Sequence, residues 1–143
     1  MADENALRDM FATNSRSVLV TAKRDGRPQL SNVMHAWYPD EGVARISVTA
    51  DRAKTRNAIR DPRVTLYVTS ADFWSYAVID GYAELTPVAT APGDEAVTAL
   101  IDLYRTIRGE DHPDWDEYTA AMIGEHRQVL TVTPTHFYGQ VPG

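Results

Sequence analysis

The sequence predicts a mainly β fold of the α+β class: an antiparallel β-barrel with accessory helices, built as a single domain over residues 1–143. Two observations carry this expectation. Short runs rich in Val, Ile, Thr and aromatic residues follow one another with tight-turn signals between them. The helical patterns are grouped rather than alternating with strands, which argues against a doubly wound parallel sheet. A chain of 143 residues suits one domain, and at that length a compact fold buries roughly two-thirds of the unfolded surface.

Each element has its own local reason. Leu7, Met10 and Phe11 recur at helical spacing, so residues 4–13 form a short helix that docks on the core. SVLVTAK (17–23) has strand composition, and Asp25-Gly26 signals a hairpin turn into PQLSNVMHAWY (28–38). Alternation along that second strand puts Gln29, Ser31, Val33, His35 and Trp37 on one face and Leu30, Asn32, Met34, Ala36 and Tyr38 on the other. ARISVTA (44–50) is a third strand. Residues 52–60 read as a short helix, with Asp51 as the candidate N-cap and Asp61-Pro62 as the stop. VTLYVTS (64–70) and WSYAVIDGYAEL (74–85) are strands, with Gly81 marking a bulge or bend. Val97, Leu100, Ile101, Tyr104 and Ile107 form the stripe of a helix over 94–108 that Gly109 ends. Asp114 caps a further helix carrying Trp115, Tyr118 and Met122, and QVLTVTPTHFYG (128–139) is the last strand.

Composition and missing motifs exclude much chemistry. There are no cysteines, so disulfides, iron–sulfur clusters, thiolate nucleophiles and thiolate zinc sites are absent, which agrees with a cytoplasmic protein. The start, MADENALRDMFATN, has neither the basic flank nor the apolar stretch of a secretory signal. No apolar run approaches the roughly 20 residues that span a bilayer. A net charge of −6 argues against nucleic acid as the main partner. Neither G-x-G-x-x-G, a P-loop nor a G-x-S-x-G elbow occurs, and the four histidines (His35, His112, His126 and His136) lack H-E-x-x-H spacing.

Against that acidic background, RAKTRNAIRDPR (52–63) gathers five of the chain's fourteen Lys and Arg residues. A helix N-terminus carries free N–H groups and partial positive charge, so Arg52 and Lys54 in its first turn are electrostatically misplaced. A bound phosphate or carboxylate would reverse the sign of that conflict. The competing reading is a solvated basic face. Arg52, Arg56 and Arg60 fall together at helical spacing and fit it, whereas Lys54 and Asn57 lie elsewhere on the helix and fit it less well.

DGRPQLSNV (25–33), RAKTRNAIRDPRVTLYV (52–68) and WSYAVIDGYAEL (74–85) together resemble the pyridoxamine 5'-phosphate oxidase-like family, whose fold is the antiparallel FMN-binding split β-barrel. Within it the chain looks most like the deazaflavin branch, the flavin/deazaflavin oxidoreductases that use coenzyme F420. The K-x-x-N pair inside R-x-K-x-R-N is the most specific part, and the resemblance covers nearly the whole chain. It implies a homodimer with the cofactor in a groove at the subunit interface. It implies that Arg52 and Lys54 hold the cofactor phosphate, with Asn57 beside them. It implies that Gln29, Ser31 and Asn32 approach the ring system or its tail, that Ser47, Val48 and Thr49 line the ring and ribityl region, and that Trp74 is an aromatic near the cofactor. The chain ends THFYGQVPG, without the basic R-L-H-D-R-like segment that grips substrate in pyridoxamine-phosphate oxidases, so vitamin oxidation is not expected.

Outside the resemblance, His35 reads as a satisfied core or surface histidine, Trp74 and Tyr76 as core aromatics of one strand face, and Trp115 and Tyr118 as packing residues. Three functions follow as expectations. The first is an F420-dependent oxidoreductase passing hydride from the reduced deazaflavin to a small conjugated hydrophobic acceptor, with no catalytic residue named and no metal. The second is an FMN-dependent oxidoreductase on the same barrel. The third is a non-catalytic deazaflavin- or flavin-binding protein.

Overall fold

The computed structural model describes residues 3–142. Six strands form a closed antiparallel barrel in the order β1-β2-β3-β6-β5-β4, with four helices around it. α1 (Glu4–Thr13) starts at Asp3, whose carboxylate accepts from the Ala6 N–H at 2.8 Å, and it buries the expected Leu7, Met10 and Phe11. β1 (Arg16–Ala22), β2 (Pro28–Tyr38) and β3 (Val43–Thr49) follow as two hairpins. α2 (Ala53–Arg60) crosses to β4 (Arg63–Thr69), and β4 turns into β5 (Tyr76–Leu85). α3 (Glu95–Arg108) and α4 (Trp115–Gly124) precede β6 (Arg127–Gln140), which pairs with both β3 and β5 and so closes the barrel.

Alternation along the strands fixes two faces. Leu19, Ile46, Val48, Leu66, Val68, Ile79 and Leu130 point inward and, with Leu7 and Phe11 of α1, make the main core. A second, smaller core lies outside the barrel, where α3 and α4 cover Ala36 of β2 and Val129 of β6. Its helical contribution is shifted from the expected stripe: Ala96, Val97, Leu100 and Leu103 are buried, while Ile101, Tyr104 and Ile107 are half-buried at its edge. The β5–β6 ladder slips register between Asp80 and Gly81, as the glycine suggested. A Cβ on Gly81 would collide with the Thr133 carbonyl, so the bulge holds two backbones too close for any side chain.

The β2–β3 ladder is short. It runs only from Tyr38↔Val43 to His35↔Ile46. Beyond it β2 continues with β1 as far as Ala22↔Pro28, and β3 continues with β6 as far as Thr49↔Arg127. The barrel is split along this seam. Direction of the amides says which groups line it. The His35 N–H donates to the Ser15 carbonyl at 2.8 Å and the Ala50 N–H to the His126 carbonyl at 3.0 Å. By alternation, the main-chain groups of Leu30 and Asn32 on β2 and the Thr49 N–H on β3 turn toward the seam beyond the end of the β2–β3 ladder.

Two expectations need correction. Asp51 does not cap α2: the N-cap is Arg52, and no side-chain hydrogen bond is made there. Trp74 is not a strand residue; β5 begins at Tyr76, and Trp74 lies in the β4–β5 turn. Among the described residues no helix is long and apolar enough to cross a membrane, and no cluster of three or more His, Cys, Asp or Glu could hold a metal ion.

Candidate functional site

The basic segment folds into α2 at the end of β3. Its first turn contains no acidic residue. The Thr49 carbonyl accepts from the Arg52 N–H at 3.1 Å and from the Thr55 hydroxyl at 2.8 Å, which locks the helix start onto the strand end. Arg52 is exposed and Lys54 half-buried. Burial lowers the Lys54 pKa, and the charges of Arg52 and Arg127 push it down further. Three cations therefore converge on an uncapped helix N-terminus. The sequence reading missed Arg127, because its closeness to Lys54 depends on the Thr49↔Arg127 pairing of β3 with the last strand. Its guanidinium donates to Glu125 at 2.9 Å and reaches the Ser47 hydroxyl at 3.5 Å.

Asn57, Arg60 and Arg63 of the run have structural partners. Asn57 is buried; its amide donates to the Thr21 hydroxyl at 3.2 Å and accepts from Arg60 at 2.8 Å. Arg60 also donates to the Ala22 carbonyl at 2.7 Å. Together they pin α2 to β1, so the side chain of Asn57 positions the helix that carries Lys54 rather than facing a groove. Arg63 pairs with Asp61, whose carboxyl it holds down at about 2.

The strand residues divide by face. Asn32, Ser47 and Thr49 lie on the outer face of the barrel, with Ser47 and Thr49 half-buried. Gln29 and Ser31, half-buried, lie on the inner face, opposite Thr21 and Leu19. The two sets are thus on opposite sides of β2, but both belong to its stretch along the seam. Val48 is fully buried in the barrel core, so its side chain is closed to a ligand.

Two cavities open on the outer face. A groove of about 430 Å³ is lined by Arg16 and Val18 of β1, Asn32 and Met34 of β2, and Tyr67 and Thr69 of β4. A smaller one, about 150 Å³, lies between Met34 and Ser47 of the barrel and Tyr104, Arg108 and Tyr118 of α3 and α4. Met34 borders both, and Ser47 joins the second to Arg127. Large apolar side chains stand in water around this face: Leu30 is 60% exposed, with Met34 and Tyr138 nearly half exposed.

His35 takes no part in that face. It is buried, its Nε2 lies 2.8 Å from the Phe11 carbonyl oxygen, and its Nδ1 lies 2.8 Å from the Ser17 hydroxyl. A carbonyl accepts only, so Nε2 carries the hydrogen and Nδ1 accepts from Ser17. This is the satisfied core histidine of the sequence reading.

No protein-family model matches the chain. Solved structures share its architecture over nearly its whole length. One described as an F420 reductase is 24% identical, with 96% of this chain and 98% of that one covered and a TM-score of 0.70. The conserved hypothetical protein Rv2991 of Mycobacterium tuberculosis is 18% identical over 100% and 91% of the two chains, with a TM-score of 0.76. A candidate pyridoxamine 5'-phosphate oxidase of Listeria innocua is 17% identical over 95% and 96%, with a TM-score of 0.66. The shared architecture is that of an antiparallel split β-barrel.

Proposed function

We propose that the chain is an F420-dependent oxidoreductase that works as a homodimer and reduces a small conjugated acceptor. The observation that carries this is the convergence of Arg52, Lys54 and Arg127 on the uncapped start of α2, at one end of the seam beyond the β2–β3 ladder. That donor set fits a ligand with an anionic tail and a flat polar-edged ring. The cations would take the phosphate, and Ser47, Thr49 and Asn32 would face the ring and its linker with hydroxyl, amide and main-chain donors. Gln29 and Ser31 would approach from the inner side of the seam. Val48 would contribute main chain alone.

A bound deazaflavin supplies hydride, and the protein supplies orientation, charge neutralisation and exclusion of water. The shared fold with an F420 reductase supports the reading. The exposed apolar residues of the outer face favour a second copy of the chain as its cover.

The test is a fluorescence titration of the purified protein with oxidised coenzyme F420 and, in parallel, with FMN. Preference for F420 supports the reading. Preference for FMN moves the protein to a flavin-dependent reaction, and binding of neither returns the basic segment to a solvated face. Tight binding without turnover over a broad acceptor panel would instead make the protein a carrier. Sedimentation as a monomer at micromolar concentration would overturn the dimer.

A further inference from the structure

The 150 Å³ cavity shares Ser47 with the proposed cofactor site, but the rest of its lining takes no part in that reading. It lies beyond Met34 from the larger groove, and α3 and α4 build its far wall. That wall is a packed set of rings. Tyr104 meets Tyr118 edge-on at 5.1 Å, and behind them Trp115 lies 5.6 Å from each. The Tyr118 hydroxyl donates to the Leu100 carbonyl at 3.0 Å, and burial pushes its pKa up to about 12, so it stays a neutral phenol with lone pairs free to accept. Met34 faces the rings with a polarisable, adaptable side chain. A cavity of this size holds about one benzene ring. It is too small for a three-ring deazaflavin.

Charge completes the site. Arg105 is paired with Asp111 and stacks over Trp115, but Arg108 has no ion-pair partner among the described residues. Its guanidinium lies 5.6 Å from the centre of the Tyr104 ring, at the rim of the cavity. On a chain of net charge −6, an unpaired arginine beside an aromatic slot selects a planar ring bearing a carboxylate.

We propose that this cavity is the acceptor subsite, and that it takes one flat conjugated ring with a carboxylate held by Arg108. The proposal rests on the oxidoreductase reading for the word acceptor, but the pocket's ligand chemistry can be tested apart from it.

The probe is trans-cinnamate, with cinnamamide as its uncharged counterpart, titrated by calorimetry and by amide shift mapping, with and without saturating F420. The expected result is saturable cinnamate binding with shifts at Tyr104, Arg108 and Tyr118, retained in the presence of F420. Cinnamamide should bind at least tenfold more weakly. Arg108→Ala should weaken cinnamate by at least tenfold and leave cinnamamide unchanged, and Arg108→Lys should fall between. Arg108 is exposed at the last turn of α3, so these variants test recognition rather than folding. No saturable cinnamate binding, equal binding of the amide, or an unchanged Arg108→Ala would overturn the subsite. Displacement of cinnamate by F420 would assign the pocket to the cofactor and overturn it too. Cofactor binding without cinnamate binding sinks the subsite alone. Cinnamate binding without cofactor binding keeps the pocket and sinks the oxidoreductase reading.

Discussion

The Arg127 guanidinium lies 3.5 Å from the Ser47 hydroxyl and donates at 2.9 Å to the Glu125 carboxylate. It thus links the outer face of the barrel to the cation cluster at α2, and its charge is already shared with an acid. Removing the cation and removing its partner should act in opposite directions. Arg127→Ala is expected to weaken F420 binding by about 1–3 kcal/mol, the range for a lost charge-assisted contact. Glu125→Gln frees the guanidinium and should strengthen binding by up to about 1 kcal/mol, as expected for an exposed pair. Fluorescence titration of both variants checks this. Equal affinities in both would remove Arg127 from the site.

Lys54 gives the site a pH signature. Its pKa lies below the ordinary 10.5, first through burial and then through Arg52 and Arg127. In the free protein the ammonium is therefore lost at lower pH than from an ordinary lysine. Anion binding should weaken as the pH rises through that lowered value. F420 affinity is expected to fall with rising pH in the wild type at a pH below the ordinary lysine value of 10.5, and to stay nearly flat in Lys54→Arg, whose guanidinium keeps its proton. Lys54→Ala should lose about 1–3 kcal/mol already at pH 7. The same slope in wild type and Lys54→Arg would show that another group titrates.

His35 should make folding stability fall on the acid side of neutrality. Burial lowers its pKa below 6.5, against a smaller raising effect of its bond to Phe11. Protonation would also turn Nδ1 from acceptor to donor, against a Ser17 hydroxyl that now donates to it. The unfolded chain then binds more protons than the folded one between the lowered value and 6.5, so stability rises with pH across that window and is lost as the pH falls through it. Urea unfolding at pH 7.5 and 5.5 is expected to show that loss in the wild type and a smaller one in His35→Gln. Equal losses would mean that His35 does not titrate on unfolding.

Much of the barrel was legible because its signals are local. Strand alternation, the Asp25-Gly26 turn, Gly81 at the bulge, and Asp114 as a cap each act within a few residues. The misplaced cations Arg52 and Lys54 were legible for the same reason. Arg127 was not, because its place beside them depends on which strand pairs with β3, a long-range fact with no local mark. Asp51 misled because an acid before a helix resembles a cap; the chain instead spends its turn on the Thr49 carbonyl, which holds Arg52 and Thr55. Leu103 was missed because α3 packs on the outside of the barrel, where the buried stripe is set by Ala36 and Val129 and not by the helix's own most apolar face.

Phe73 and Trp74 are the most exposed large apolar side chains among the described residues, at 77% and 73%. Their turn is nevertheless well ordered by polar contacts. Asp72 accepts from the Ser70 hydroxyl at 2.6 Å and from the Trp74 N–H at 3.1 Å, and the Ser75 N–H donates back to the Ser70 hydroxyl at 3.0 Å. Phe73 is held at a φ of 71°, a region that costs a non-glycine residue about 1 kcal/mol or more. A chain that fixes two aromatic rings in water at a cost in backbone strain gains nothing from them as a monomer. The interface reading gives them a role against the partner subunit or its cofactor. Trp74→Ala is therefore expected to leave the unfolding free energy of the monomer within about 0.5 kcal/mol. It should still raise the dimer dissociation constant or the F420 dissociation constant at least tenfold. Sedimentation velocity and F420 titration on the same preparation read the two effects separately, and a variant indistinguishable from wild type in both would make the tip an ordinary surface loop.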